Sequence, residues 1–370
     1  MASRRSSTLI IDNGTGVLKA GMSGDEKLPS VVTHSSAIMY DTVRLFLATE
    51  DLARRKSYQN VDSLREMWKN AISKLKIHPF EHNVVLAESE MHTESDVEKM
   101  EEIMFEEFRT PALYIGNESA FSLIWHRKPT GVIVDCGDYI TSVVPFYDGT
   151  RLPNNRLLNY GGRNVTLKLF KNLSRNGYHE LDSKNPKHFE ELRKIKEKFG
   201  YVQIWERRRW TDKHNKPFIV PCELVPEKDC VLRLETFYAS DGLFQPMCFY
   251  SSAMAIQDAL CKAIETQIES IQEELIQSVL LCGGGTLLTS FADRIAMQFD
   301  ALEKFPRPVN VITNKNREHS VWLGANEFAK KEECISQVLI SKAQYHEYGV
   351  GVCRDERNRA AHLYFSSSTP

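Results

Sequence analysis

Two aspartates, Asp12 and Asp135, each close an apolar run, and a glycine follows each two residues later: "IIDNG" and "VIVDCG". A strand end that delivers a carboxylate and then turns on glycine suits a polyphosphate. Backbone N–H groups are the densest supply of donors, and glycine lets them approach closely. A pair of carboxylates can then hold Mg²⁺, mostly through water. After Asp12, the amides of Gly14, Thr15 and Gly16 can face one phosphate while Lys19 adds a point charge. After Asp135, a loop around Gly137 can clasp the same phosphates from the other side. A third loop, Gly283-Gly284-Gly285-Thr286, lets backbone approach a flat base or a ribose.

Each loop alone has a plainer reading. Asn13-Gly14 is also the commonest short hairpin signal, and a run of three glycines is often only a flexible bend. Three such loops, each after an apolar strand, favour the phosphate site. None is a Walker A or Rossmann fingerprint.

The elements that must position these loops are readable in outline. "TLIID" and "VVLAE" read as buried strands, and "GVIVDCGDYITSVVPFYDG" as two strands joined by a tight turn. Val97, Met100, Met104 and Phe108 share one face of a helix. Ile256, Leu260, Ile264, Ile268, Ile271 and Leu275 predict one long amphipathic helix leading into the third loop. Alternating strands and helices predict an α/β architecture. "MASRRSS" and "RDERNRAAHLYFSSSTP" read as loose ends.

A chain of 370 residues can build two cores, and a net charge of −2 gives no overall pull toward nucleic acid or anionic membrane. The Arg207-Arg208-Arg209 run between Trp205 and Trp210 reads as a solvated stretch, with a partner patch as the alternative. No apolar run approaches bilayer length, and no CxxC pair indicates zinc or redox chemistry. Nothing ahead of Thr8 reads as a secretory leader, so the eight cysteines are expected as reduced thiols in the cytosol or nucleus.

The three loops, with "IMFEEFRTPALYI", "IKEKFGYV", "LFQP", "REHSVWLGA" and "ISKAQYHE", resemble in sequence and order the actin-related proteins of the actin, hexokinase and chaperone ATPase superfamily. The resemblance implies a bilobal α/β fold of two related domains, with ATP or ADP and Mg²⁺ or Ca²⁺ in the interlobe cleft. It implies a small lobe of residues 1–127 plus 320–370 and a large lobe of 128–319. Asp12 and Asp135 match the carboxylates that organise the metal and the attacking water. Gly14, Thr15, Gly16 and Lys19 match the first phosphate clamp, and Gly137 and Asp138 the second. Arg193, Lys196 and Glu197 match positions near ribose and base, with Gly162, Gly284 and Gly285 nearby; a solvated helix surface is the alternative for Lys196 and Glu197.

The chain departs from the family where water is handled. Glu118 replaces a glutamine and Ser142 a histidine; Tyr139 replaces a glycine of the second loop, and Glu318 a lysine near the adenine. Residues Pro29 to Trp68 form a shortened stretch, which implies a reduced second subdomain without the usual intersubunit loop. The expectation is a nucleotide-binding structural, adaptor or capping subunit of a cytoskeletal assembly, with at most weak ATPase activity and no ordinary filaments. Its partners would be actin-family or other cytoskeletal complex subunits, with no direct nucleic-acid contact and no membrane insertion. The alternatives are a self-assembling ATPase and a nuclear chromatin-remodelling subunit.

Overall fold

The structure is a computed structural model that describes residues 7–24, 28–34, 61–182, 185–204, 218–220, 230–232, 234–249 and 252–367. The first sheet begins with β1 (Leu9–Asp12), β2 (Val17–Met22), β3 (Val31–His34), β4 (Val84–Glu88) and β5 (Ala112–Asn117). The second begins with β6 (Gly131–Cys136), β7 (Thr141–Tyr147), β8 (Thr150–Arg151) and β9 (Arg156–Leu158). A ribbon pairs β10 (Phe218–Val220) with β11 (Cys230–Leu232). The second sheet is completed by β12 (Val279–Cys282) and β13 (Val311–Thr313), and β14 (Ile340–Ser341) returns to the first beside β5.

The two sheets share one plan. Their orders are β14-β5-β4-β1-β2-β3 and β13-β12-β6-β7-β8, with β9 against β7. In each, an antiparallel hairpin (β1–β2, β6–β7) is followed across the sheet by parallel strands (β4 and β5, β12 and β13). Asp12 pairs with Lys19 in the first hairpin and Asp135 with Ser142 in the second, at matching places. The central strands are apolar throughout because both faces are covered: every residue of β1 and β4 is buried.

A shared core joins the sheets. The helix Glu118–His126 starts where β5 ends, and the helix Ser320–Lys330 crosses it. Phe121 and Phe328 from these helices pack in one cluster with Ile10 and Val85 of the first sheet and Ile133 and Leu280 of the second. At the crossing, a Cβ on Gly324 would lie 1.8 Å from the Phe121 carbonyl oxygen, so only glycine permits this spacing.

Three expectations need correction. The predicted long helix is two helices, Ile256–Glu265 and Glu269–Ile276. Thr266 donates to the Lys262 carbonyl at 2.9 Å and Gln267 Nε2 to the Ala263 carbonyl at 3.1 Å, which uses up the last acceptors of the first helix. Ile268, expected on the apolar stripe, therefore lies outside both helices and is 70% exposed. The expected loose tail carries a helix, Ala360–Ser366, whose Ala360 and Ala361 are buried in the shared core. The Glu94–Glu102 helix ends in a π-helical turn, Ile103–Glu107, and the wider turn lets Ile103, Met104 and Phe105 all bury. The reduced second subdomain, the "MASRRSS" start and the Arg207-Arg208-Arg209 run fall mainly on residues 35–60, 1–6 and 205–217, outside the described residues. Among the described residues, no helix is long and apolar enough to cross a membrane.

Candidate functional site

Parallel strands that point the same way present their carboxyl ends to one crevice. Here β1 delivers Asp12, β6 delivers Asp135, β4 runs out into Ser89, and Glu118 follows β5 directly. Gly283 follows β12. These ends converge on a cavity of about 520 Å³, within the range of small-molecule sites. The cavity is lined by Asp12, Gly14, Thr15, Gly16 and Lys19 from the first hairpin, and by Asp135, Gly137 and Asp138 from the second. Glu118, Gly162, Arg193, Lys196, Glu197, Gly284 and Gly285 complete the set singled out in the sequence.

The first loop is a hairpin connection and a cavity wall at once. β1 and β2 are paired, yet neither Asn13 nor Gly14 has positive φ, which the usual two-residue Asn-Gly turn would need. The glycines are required by space: a Cβ on Gly14 would lie 2.5 Å from the Val17 carbonyl, and one on Gly16 2.5 Å from Asp138 Cβ. Gly16 thus brings the two hairpin loops into direct contact. Lys19 Nζ sits 2.8 Å from Asp12 Oδ2. Burial works against the Lys19 ammonium, but Asp12, with Asp135 and Glu118, outweighs it, and the pKa of the lysine is raised.

The second loop is closed by a Gly137 N–H bond to the Ile140 carbonyl at 3.0 Å. The carbonyls of Gly137 and Asp138 accept from the Gly162 and Arg163 amides at 2.9 and 2.8 Å, docking the start of the Gly162–Arg175 helix. Tyr139 does not fill the cavity. Its ring is buried against Ile140, Met91 and Leu157, its hydroxyl accepts from Arg163 Nη1 at 3.0 Å, and the guanidinium lies 4.3 Å from the ring centroid. Arg163 also pairs with Asp138 at 2.9 Å, holding that carboxyl below its ordinary range against the effect of burial. In the third loop Gly283 has φ +81°, and a Cβ there would lie 2.3 Å from Asp135 Oδ1. Gly284 faces open space.

Around Glu118 and Asp135 the cavity is acidic. Burial is the main force raising Glu118 well above the usual carboxylate range, and the Asp135 and Glu90 charges add to it. Its Oε1 accepts from the Glu90 amide at 3.2 Å and from Ser89 Oγ at 3.4 Å. Burial likewise pushes Asp135 up to about 6, with Lys19 pulling the other way. Ser142 lines the same cavity, and its buried Oγ has no hydrogen-bond partner. Behind Glu118, the buried Glu90 meets Arg151 of the second sheet at 2.5 Å and accepts from Ser119 Oγ at 2.8 Å.

At the other side the two readings of the Pro186–Phe199 helix divide. Lys196 is buried, donates to the Gly162 carbonyl at 3.0 Å, and has its pKa lowered by burial. Glu197 is half exposed and pairs with Arg193 at 2.5 Å, and Arg193 pairs also with Glu190 at 2.6 Å. Glu318 lines the cavity, and its buried Oε2 has no hydrogen-bond partner. Sequence reasoning missed Ser89, Arg163 and Phe189 in the lining, and Glu90 and Arg151 behind it, while Gly283 of the third loop lines the cavity as expected. The parallel strand order would have pointed to Ser89.

The lining fits a phosphate chain: Gly14, Gly16 and Gly283 without room for a Cβ, the largely buried ammonium of Lys19, and an unpartnered buried hydroxyl at Ser142. Among the described residues, no group of three or more His, Cys, Asp or Glu side chains is placed to hold a metal. Asp12 and Asp135 offer two carboxylates, and phosphate and water oxygens would have to complete any Mg²⁺ shell.

Comparison with known proteins agrees with this architecture. The sequence profile of the family described as Actin matches residues 3–358. The chain is 30% identical over 362 residues to "Centractin" of Schizosaccharomyces pombe (strain 972 / ATCC 24843), covering 91% of this chain and 94% of that protein. A hairpin-and-parallel-strand sheet built twice around one cleft, with a family match along nearly the whole sequence, places this chain in the actin family.

Proposed function

We propose that the protein binds ATP or ADP with Mg²⁺ or Ca²⁺ in this cavity and serves as a structural, adaptor or capping subunit of a cytoskeletal assembly. One observation carries this reading: both glycine loops, Lys19 and the two strand-end aspartates line a single cavity between the sheets. Gly14, Thr15 and Gly16 would present backbone amides to phosphate oxygens, Gly137, whose own amide closes its loop onto the Ile140 carbonyl, would lie against them, and Lys19 would add charge. Gly284 and Gly285 would lie along the base or ribose, with Lys196, Arg193 and Glu197 at the rim. Asp12 and Asp135 would hold a cation whose role is to neutralise the phosphates. The lobes would divide at residues 127/128 and 319/320.

Little hydrolysis is expected from these residues. A general base needs a pKa near the working pH and a free acceptor. Glu118, whose protonated form burial favours and whose Oε1 already accepts from the Glu90 amide and Ser89 Oγ, is a poor acceptor, and the Ser142 hydroxyl is no base. Partners would be actin-family or cytoskeletal complex subunits, with the cytoplasm as the main site and the nucleus as the second.

Ligand that binds only the folded state raises stability by mass action, by about 3 kcal/mol at a hundredfold excess over Kd. Millimolar ADP or ATP with Mg²⁺ is therefore expected to raise the melting temperature; no shift with either would overturn the nucleotide reading. In high-speed sedimentation under salt and Mg–ATP conditions that polymerise ordinary actin, the protein is expected to stay in the supernatant. Pelleted filaments would favour the self-assembling alternative.

A further inference from the structure

We propose that Tyr139 is a positioning residue for nucleotide binding: from outside the cavity it fixes the second glycine loop, and with it the gap between the two hairpin loops. This deepens the nucleotide reading and rests on it. Gly137, Asp138, Ile140 and Arg163 line the cavity, whereas Tyr139 does not. Its side chain acts on that wall from behind.

The loop is short. Gly137 N–H donates to the Ile140 carbonyl at 3.0 Å, which leaves Asp138 and Tyr139 at the tip. Arg163 joins their side chains. Its Nε donates to Asp138 Oδ2 at 2.9 Å, its Nη1 donates to the Tyr139 hydroxyl at 3.0 Å, and its guanidinium lies 4.3 Å from the Tyr139 ring centroid. A second ring, Phe189 of the Pro186–Phe199 helix, has its centroid 5.6 Å from the same guanidinium. Arg163 and Tyr139 are both buried, so the attraction between cation and ring acts with little water to weaken it. Tyr139 and Ile140 also form one apolar cluster with Met91, which comes from the segment after β4 of the first sheet.

Asp138 passes this order on to the first loop. A Cβ on Gly16 would lie 2.5 Å from Asp138 Cβ, so the two loops meet where Asp138 stands. A glycine at position 139 would keep the Gly137–Ile140 turn but take one ring and one acceptor away from Arg163, the residue that holds Asp138. The side chain expected from the sequence to distort the loop is its brace. A ligand held between two loops binds with an affinity reduced by the fraction of time that the loops keep the binding arrangement. Loss of the Tyr139 side chain therefore weakens nucleotide binding without removing any atom from the cavity lining.

The test is titration of the intact protein with MgADP, read by calorimetry, on the wild type, Tyr139→Phe, Tyr139→Leu and Tyr139→Gly, each also melted without nucleotide. Tyr139→Phe keeps the ring and loses the hydroxyl, and is expected to bind about threefold more weakly. Tyr139→Leu and Tyr139→Gly lose the ring as well, and are expected to bind about tenfold more weakly, as for loops in place about a tenth of the time. Titrations run well below each melting temperature, so lost stability alone leaves the affinity unmoved. A Tyr139→Leu or Tyr139→Gly protein that melts lower yet binds MgADP like the wild type would overturn the proposal, the residue then serving the fold alone. Tighter binding would overturn it too and make Tyr139 an obstruction. Should Tyr139→Gly fail to fold, Tyr139→Leu, which refills most of the buried space, carries the test. Wild-type protein that binds no MgADP would overturn the nucleotide reading and this proposal together.

Discussion

Replacing Asp135 with asparagine is expected to stabilise the ligand-free protein at pH 8 by about 2–3 kcal/mol and to change it little at pH 4. Asp135 is raised by burial from 3.8 to about 6, and its neighbours Lys19 and Asp12 act in opposite directions. A carboxyl whose folded pKa is raised contributes stability that is complete below the unfolded value and is lost as pH rises through the folded one. The window here runs from about 4 to about 6, and above it the ionised Asp135 is a standing cost. Asparagine keeps the shape and removes the charge. Lys19 retains Asp12, so no buried ammonium is stranded. Denaturant melts at pH 4 and pH 8 without nucleotide check the sign. A loss of stability at pH 8 would mean that Asp135 is ionised at a net gain. The same variant is expected to lose cation-dependent nucleotide binding, the usual exchange between a functional site and fold stability.

Arg151→Met is expected to destabilise the protein by about 3 kcal/mol, while the double variant with Glu90→Gln recovers most of that loss. The Glu90 side chain is 2% exposed and that of Arg151 25%, so removing the arginine strands a charge that water cannot reach. That residual exposure of Arg151 sets the effect at the lower end of the range for buried pairs. The pair joins the segment after β4 to β8, so it ties the two sheets together from behind the cavity. A double-mutant cycle in denaturant isolates the coupling. Single variants within experimental error of the wild type would show that the pair carries no load. Hydrogen exchange should place the loosening at the ends of β4 and in β8.

Much of this fold can be read from residues, and the failures have physical reasons. Buried strands such as "LIID" and "VVLAE" announce themselves because both faces are covered, and their apolar runs admit little else. The break at Thr266–Ile268 was hidden because apolar spacing continues across it. What ends the helix is side-chain bonding from Thr266 and Gln267, one arm of which reaches the distant Pro153 carbonyl. The final helix was missed because Ala360 and Ala361 make a faint signal, though both are buried in the shared core and Gly149 leaves room for the backbone at Ala361 and His362. The residues placed around the cavity came from glycine and charge chemistry strengthened by family likeness. Tyr139 shows the limit of that reading. A bulky residue in a glycine loop suggests distortion, yet its ring turns away and stacks under Arg163.

The matched hairpins also give the cleft a direction. In backbone terms it is close to two-fold, with an aspartate at each strand end and a glycine loop beyond it. Electrically it is one-sided: Lys19 pairs directly with Asp12, whereas Asp135 has Ser142 at the matching place of its own hairpin and feels Lys19 only from across the cleft. A linear anion threading a symmetric cradle would have two equivalent orientations. An anion bound there would meet two unlike walls, a lysine at one hairpin and a serine at the matching place of the other, so its head and tail would not be interchangeable.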